Sequence, residues 1–205
     1  MFDLPPPDPG IEISIASRGM SKGISQTDGP QAIGKATVQF GDVQIGGQWK
    51  NITATVAEGE AQAFASWQHK FGRVQTSLGA TFKLQTGVSS PTDDKAFEVN
   101  GSVAPKWGKA GLRVSAVYSP NDLGSTRQSL YLESGASYDL SKAIRLSANV
   151  GRRMRKESPD YTSFNAGLSM TLKMLTLDAR YFDTAQGEFG ELYKERLVLT
   201  GRLAW

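Results

Sequence analysis

Period-two alternation of apolar and polar residues runs through nearly the whole chain, and it restricts the fold more than any other feature. "VQTSLGATFKL" puts Val74, Leu78, Ala80, Phe82 and Leu84 on one side of an extended ribbon. "RLVLTGRLAW" closes the chain with Leu197, Leu199, Leu203 and Trp205 opposite Arg196 and Arg202. Successive side chains of a strand point to opposite faces, so the pattern marks strands with one apolar and one polar face. The same grammar runs through "IEISIAS", "KATVQF", "VQIGGQWK", "AQAFASWQHKF", "FEVNGSVAPKW", "AGLRVSAVY", "SLYLESGASYDL", "AIRLSANVG", "SFNAGLSMTL" and "LTLDARYF", which brings the count to twelve strands. Most span about nine to twelve residues, near the 9–11 of a tilted membrane-crossing strand and longer than the 5–6 typical of soluble sheets.

The connections are sorted as well. Short turns fall at 41–42, 71–73, 108–109, 141–142 and 173–174, and longer polar loops such as "SKGISQTDGP", "NITATVAEGE" and "DTAQGEFGELYK" fall between them. A bacterial transmembrane barrel has this alternation, with tight periplasmic turns on one rim and longer external loops on the other. The expectation is one domain over residues 1–205: an all-β, antiparallel up-and-down transmembrane β-barrel of twelve strands. A Pro-rich periplasmic extension is expected over residues 1–10, and an even strand count leaves both termini on the turn side.

Composition excludes the main alternatives. A mean hydropathy of −0.33 rules out a bundle of membrane helices, since a helical span needs roughly 20 apolar residues in a row. With no cysteine and one histidine in the chain, there is no disulfide framework and no His/Cys metal centre. A net charge of +3 is too small to argue for nucleic acid. The opening "MFDLPPPDPG" lacks the basic and apolar segments of an export signal, so an exported chain would be the mature form.

Three features turn the apolar face outward, toward lipid. The aromatics Trp49, Trp67, Trp107, Tyr138, Tyr181 and Trp205 share the apolar parity, as interfacial girdles do. The opposite parity carries charge in mid-strand at Lys35, Lys83, Arg113, Arg145, Arg180, Glu98, Glu133 and Asp178, with Arg196 and Arg202 on the last strand. A wide membrane barrel has a polar lumen, whereas a small soluble one fills its interior with apolar side chains. An aromatic C-terminus in the outward register resembles the end of outer-membrane barrels that the barrel-assembly machinery reads.

One segment is more specific. Residues 17–52, "SRGMSKGISQTDGPQAIGKATVQFGDVQIGGQWKNI", carry Arg18 and Gly19, a Gly-Ile-Ser-Gln-Thr-Asp-Gly-Pro run ending at Pro30, and a Gly-x-Trp strand at Gly47 and Trp49. These elements resemble the N-terminal region of the Gcw_chp family of proteobacterial exported or outer-membrane β-proteins, with "MSK" inserted between the Arg-Gly and Gly-Ile-Ser elements. The resemblance implies fold and location but no activity.

The charges on the inward parity are mostly basic, and a confined cationic lumen raises the local anion concentration. The chain therefore reads as an outer-membrane channel for passive diffusion of small solutes, favouring anions such as acidic oligosaccharides. The alternative is a non-conducting structural or adhesion barrel acting through its external loops. Lone His69, on the apolar parity beside a turn, reads as interfacial, so no enzyme and no cofactor are expected. The loop "RRMRKESPDY" groups Arg152, Arg153, Arg155 and Lys156, which could pair with lipopolysaccharide phosphates. Expected partners are outer-membrane lipids and lipopolysaccharide, the assembly machinery and small anions.

Overall fold

Extended backbone leaves its N–H and C=O groups unpaired at a sheet edge, and closing the sheet on itself removes the edge. The computed structural model, which describes residues 5–53, 57–88, 93–124 and 126–205, shows such a closed barrel. In chain order the strands are β1 (Asp8–Ala16), β2 (Met20–Ser21), β3 (Ile24–Ser25), β4 (Gln31–Phe40), β5 (Val43–Asn51), β6 (Gly59–Phe71) and β7 (Val74–Thr86). They continue with β8 (Lys95–Trp107), β9 (Ala110–Asp122), β10 (Arg127–Asp139), β11 (Ile144–Arg155), β12 (Tyr161–Leu172), β13 (Leu175–Thr184) and β14 (Arg196–Ala204). All but β2 and β3 form the wall, each antiparallel to its chain neighbour, with β1 and β14 closing the ring. β2 and β3 pair with each other as a separate small hairpin.

The terminal tryptophan helps to seal the barrel. Trp205 N donates to Ile11 O at 3.0 Å and Ile11 N donates to Trp205 O at 2.9 Å, so the last residue is stitched onto β1. Its ring is exposed on the outer face. The first strand begins at Asp8 rather than Ile11. Asp8, Pro9 and Gly10 pair with Gln39, Val38 and Thr37, which shortens the expected N-terminal extension by three residues.

Five short connections share one rim, and in four of them the first turn residue has positive φ: Gly41 (59°), Gly72 (60°), Gly108 (57°) and Lys173 (54°). Glycine enters that region without steric cost, whereas Lys173 does so against its Cβ. The opposite rim carries the longer loops, including two 3₁₀ turns at Gly187–Phe189 and Glu191–Tyr193.

The parity assigned from the sequence holds all round the ring. Outward side chains include Ile11, Ile13 and Ile15 on β1, Leu78 and Phe82 on β7, Val114 on β9, Leu146 on β11 and Leu197 and Leu199 on β14, all exposed. Buried residues are mostly polar: Ser14, Gln31, Lys50, Glu60, Glu98, Ser119, Asp122, Ser129 and Ser163 are among them. This is a soluble fold turned inside out. An apolar belt of this extent exceeds what a water-facing monomer carries, and a hydrocarbon phase is its natural cover.

Several strands run further toward the loop rim than the apolar pattern does. β11 continues to Arg155 and β9 to Asp122, into stretches that read as loop. Above an apolar belt the ladder still pairs the backbone, but nothing there requires an apolar outer face. Register shifts also enter β8–β9 and β9–β10 at this rim. By adding a residue, such irregularities change which side chain points inward. Here Asn121 is exposed and Asp122 is 3 % exposed, inside the wall.

Candidate functional site

The lumen has two halves of different character. Toward the turn rim lies an open vestibule of about 1210 Å³. Its wall carries Lys70, Arg73, Lys106, Arg113, Arg145, Arg180 and Arg202 against the carboxylates of Glu12 and Asp178. Asp139 sits at its edge, accepting from Lys106 Nζ at 2.7 Å and Arg145 Nε at 2.6 Å. Arg180 is fixed by a fan of bonds: Nη1 to Asn165 Oδ1 at 2.8 Å, Nη2 to Ser147 Oγ at 2.8 Å, and Nη2 to Asp178 Oδ2 at 3.2 Å. Asn149 Nδ2 extends the fan by donating to the same Asn165 Oδ1 at 2.7 Å. Arg202 lies 3.9 Å from Glu12, and among the described residues Arg113 has no carboxylate within ion-pair distance. The vestibule therefore keeps a net positive wall after its pairs are counted.

Toward the loop rim the lumen is occupied. The loop over residues 17–30 folds inward and carries the β2–β3 hairpin across the bore. Its contacts reach opposite walls: Gln26 Oε1 accepts from Lys50 Nζ on β5 at 2.6 Å, and Tyr161 OH on β12 donates to Lys22 O at 2.9 Å. Counted round the ring, β5 and β12 stand five strands apart by the shorter way, close to the diameter of a twelve-strand wall. Gly23, with φ of 86°, nests against Ser163, where any Cβ would collide. Lys22 Nζ lies 2.5 Å from Glu98 Oε1, and Lys83 Nζ lies 2.8 Å from the same oxygen. Lys50 pairs with buried Glu60 at 3.1 Å, and Arg153 Nη2 reaches Asp122 Oδ2 at 2.5 Å. Asp122 also accepts from Ser129 Oγ. Two smaller chambers remain beside the hairpin. One, of about 300 Å³, has Arg113, Lys22, Tyr131, Glu133 and Phe182 in its wall. The other, of about 330 Å³, has Lys22, Glu60, Lys83, Asp122, Arg153 and Arg155.

The expected lumen residues are all inward, but they divide between these zones. Arg113, Arg145, Arg180, Arg202 and Asp178 line the vestibule. Lys83, Glu98 and Glu133 stand at the level of the hairpin, where Glu133 accepts from Tyr131 OH at 3.0 Å. Lys35 stands 5.4 Å from the centre of the Phe64 ring, an inward aromatic. Arg196 does not act on the bore: its guanidinium donates to Glu195 O, Glu191 O and Glu191 Oε2 at the loop rim. Lys194 and Arg196 in turn hold the Glu191 carboxyl below its usual range, chiefly through the Lys194 hydrogen bond.

The basic loop cluster needs correction. Residues 152–155 continue strand β11, so their side chains alternate instead of fanning out together. Arg153 and Arg155 point into the lumen, Arg155 stacking 5.0 Å over Tyr161 and donating to Tyr193 OH at 3.0 Å. Arg152 and Lys156 alone are exposed, and Arg152 is engaged with Thr162 Oγ1 and Asp160. A four-residue phosphate clamp is not formed.

The aromatics stand outside as expected, exposed by 40 % at Trp67 to 55 % at Trp205. Trp67, Trp107, Tyr138 and Trp205 gather near the turn rim. Trp49 is near the loop rim, as is Tyr181, which lies opposite Leu197 at the start of β14. His69 belongs to this belt. It stacks at 5.7 Å on Trp67 and 4.4 Å from Phe71, and its Nδ1 meets Asp42 at 2.6 Å. Among the described residues no group of His, Asp and Glu has metal-ligand geometry. Asp93, between β7 and β8, forms an isolated bridge with Gly124, and residues 89–92 before it lie outside the described residues.

The inward residues that sequence reasoning missed are Glu60, Asp122, Arg153, Arg155 and Lys22. Continuing strand parity past the apolar belt finds Glu60, Arg153 and Arg155. The irregular pairing hides Asp122, and only the inward fold of its loop reveals Lys22.

These features define a class: a closed, antiparallel, twelve-strand β-barrel with a polar lumen, the fold of small outer-membrane porins. Among solved structures the chain is similar to the KdgM porin, at 11 % identity and a TM-score of 0.69, over 96 % of this chain and 99 % of that one. It is similar to the NanC porin at 7 % identity and a TM-score of 0.63, over 95 % and 97 %. It also resembles LpxR from Salmonella typhimurium at 9 % identity and a TM-score of 0.55, over 96 % and 99 %. No family model and no curated protein sequence matches the chain.

Proposed function

We propose that the protein is an outer-membrane diffusion channel that favours small anionic solutes, with the turn rim in the periplasm and the loop rim outside. The observation that carries this reading is the vestibule wall, in which seven basic side chains stand against three carboxylates, those of Glu12, Asp178 and, at the edge, Asp139. Water in the bore is surrounded by a low-dielectric wall, so this fixed charge is focused onto the path of a permeating ion. Acidic oligosaccharides suit such a wall, because arginines bind carboxylates in a planar, two-point geometry. A KdgM structure of a complex with disordered oligogalacturonate, similar to this chain at a TM-score of 0.63 and 10 % identity, supports that solute class.

The outer apolar belt and its aromatic girdles support insertion in a bilayer, and Arg152 and Lys156 are the residues exposed to lipopolysaccharide phosphates. The closing strand, with exposed Trp205, is the part offered to the assembly machinery. The reading is non-enzymatic. His69 faces outward among aromatics, and its ring partner is Asp42 rather than a nucleophile.

The test is single-channel recording of refolded protein in a planar bilayer under a KCl gradient. Unit steps with a reversal potential on the chloride side are expected; cation selectivity would refute the anionic reading. A second reading, a non-conducting barrel that acts through its external loops, draws on the hairpin that crosses the loop-rim half. Folded protein without conductance would favour it.

A further inference from the structure

Lys22 borders both chambers beside the hairpin, and Arg113 borders both the vestibule and the nearer chamber. A solute crossing the bore therefore meets Arg113, then Lys22, then Arg153. At the middle step the way is closed by a loop rather than by the wall.

The tip of that loop is held to the wall by few tethers, and its main one is shared. Glu98 Oε1 accepts from Lys22 at 2.5 Å and from Lys83 at 2.8 Å. Withdrawing one partner from a buried ion pair is costly because the other charge is stranded. Here it is not stranded: when Lys22 leaves, Glu98 keeps Lys83, and Lys22 carries its charge to whatever anion stands in the adjoining chamber. At its tip the other tethers are Tyr161 OH to Lys22 O and the seat of Gly23 on Ser163; the base is fixed more firmly, with Gln26 held by Lys50 Nζ and Thr53 N, Asp28 N donating to Thr53 Oγ1, Pro30 O accepting from Asn51 Nδ2 and Ser17 bonded to Leu199. The two tip tethers fasten Lys22 itself and its neighbour Gly23. The hairpin pairs Met20 with Ser25 and Ser21 with Ile24, and its base is closed by Gln26 N to Gly19 O and Gly19 N to Thr27 Oγ1, so the tip can move as one unit. Glycines flank it at Gly19 and Gly29, and Gly29 is open around its Cβ position.

We propose that the inward loop over residues 17–30 is a gate latched by Lys22, and that a permeating polycarboxylate opens it by taking Lys22 from Glu98. The inference rests on the channel reading above and adds the residue at which solute and barrel compete. The loop then swings toward the outer rim and joins the vestibule to the outer chamber. Lys83 and Lys50 stay neutralised on the wall by Glu98 and Glu60.

The experiment is bilayer recording of the wild type, Lys22→Met and Glu98→Gln, each checked for barrel folding by far-UV circular dichroism and heat-dependent gel mobility. Symmetric KCl is used, with and without millimolar citrate as the polycarboxylate probe. The wild type should alternate between a closed and an open level, and citrate should shorten its closed dwells. Lys22→Met should shorten closed dwells at least tenfold without citrate and make them insensitive to it. Tyr161→Phe, which removes only the second tether, should shorten them less and keep the citrate response. Wild-type dwell times in Lys22→Met, a citrate response that survives that substitution, or a wild type with one fixed open level would each overturn the proposal. Should the wild type be silent, a variant with residues 20–25 replaced by Gly-Gly decides: conductance in it identifies the hairpin as the obstruction, and silence overturns the gate. The reversal potential in a KCl gradient is read separately. Loss of chloride selectivity with an intact Lys22 effect would sink the anionic reading and leave the gate standing.

Discussion

Replacing Arg113 with Gln should weaken anion selectivity by a predictable amount. Arg113 borders both the vestibule and the chamber beneath the hairpin, and among the described residues no carboxylate pairs with it. Its charge therefore acts on the permeating ion, and Gln keeps the polar surface while removing that charge. A permeating ion about 6 Å away in a water-filled bore, at an effective dielectric constant of roughly 60, interacts by about 0.9 kcal/mol. Screening at ~0.1 M salt, where the Debye length is about 10 Å, lowers this to roughly 0.5 kcal/mol. Local chloride then falls by a factor of about two while potassium rises by the same factor. The chloride-to-potassium permeability ratio should drop roughly fivefold. Reversal potentials under a KCl gradient measure that ratio directly. Arg152→Gln is the control, since it removes an equal charge from the outer face near the loop rim. A ratio unchanged in Arg113→Gln, or changed equally in Arg152→Gln, would show that ions do not pass along the vestibule wall.

Three further outcomes follow from the same geometry. Leu168 and Ser169 are neighbours on β12, exposed outside and lining the vestibule respectively; Leu168→Arg should cost about 2–4 kcal/mol of stability in lipid vesicles while Ser169→Arg costs far less, as urea unfolding would show. Asp122→Ala leaves the largely buried Arg153 guanidinium without its carboxylate and should destabilise by about 3–5 kcal/mol, whereas Glu191→Ala, which breaks pairs of a solvent-exposed carboxylate, should leave the unfolding midpoint nearly unchanged in the same assay. Lys173→Gly relieves a residue at φ 54° and should raise the unfolding midpoint, for a gain of roughly 0.5–1 kcal/mol.

How far the lumen could be read from the sequence depended on the apolar belt. Where lipid contact demands an apolar outer face, every second residue is fixed, and Lys35, Arg113, Arg145 and Arg180 could be assigned inward from their neighbours alone. Beyond the belt that constraint ends. Arg153 and Arg155 continued the parity of Arg145 but looked like an external basic loop, because Arg152 and Lys156 beside them broke the apolar rhythm. Arg196 kept the inward parity, yet it is spent on Glu191 in a loop whose 3₁₀ turns carry no apolar rhythm.

The chain by itself determined the strand count, the inside and outside of the wall, and the alternation of short turns with long loops. Each of these follows from a local rule: strand side chains alternate, charges avoid hydrocarbon, and tight turns need residues that accept positive φ. Tertiary structure alone decided what fills the bore. Whether Lys22 meets solvent or Glu98 depends on residues 76 positions apart in the chain. Whether Asp122 faces in or out depends on irregular pairing with two neighbouring strands. Such pairings depend on the shape of the closed ring, and no period in the sequence encodes them.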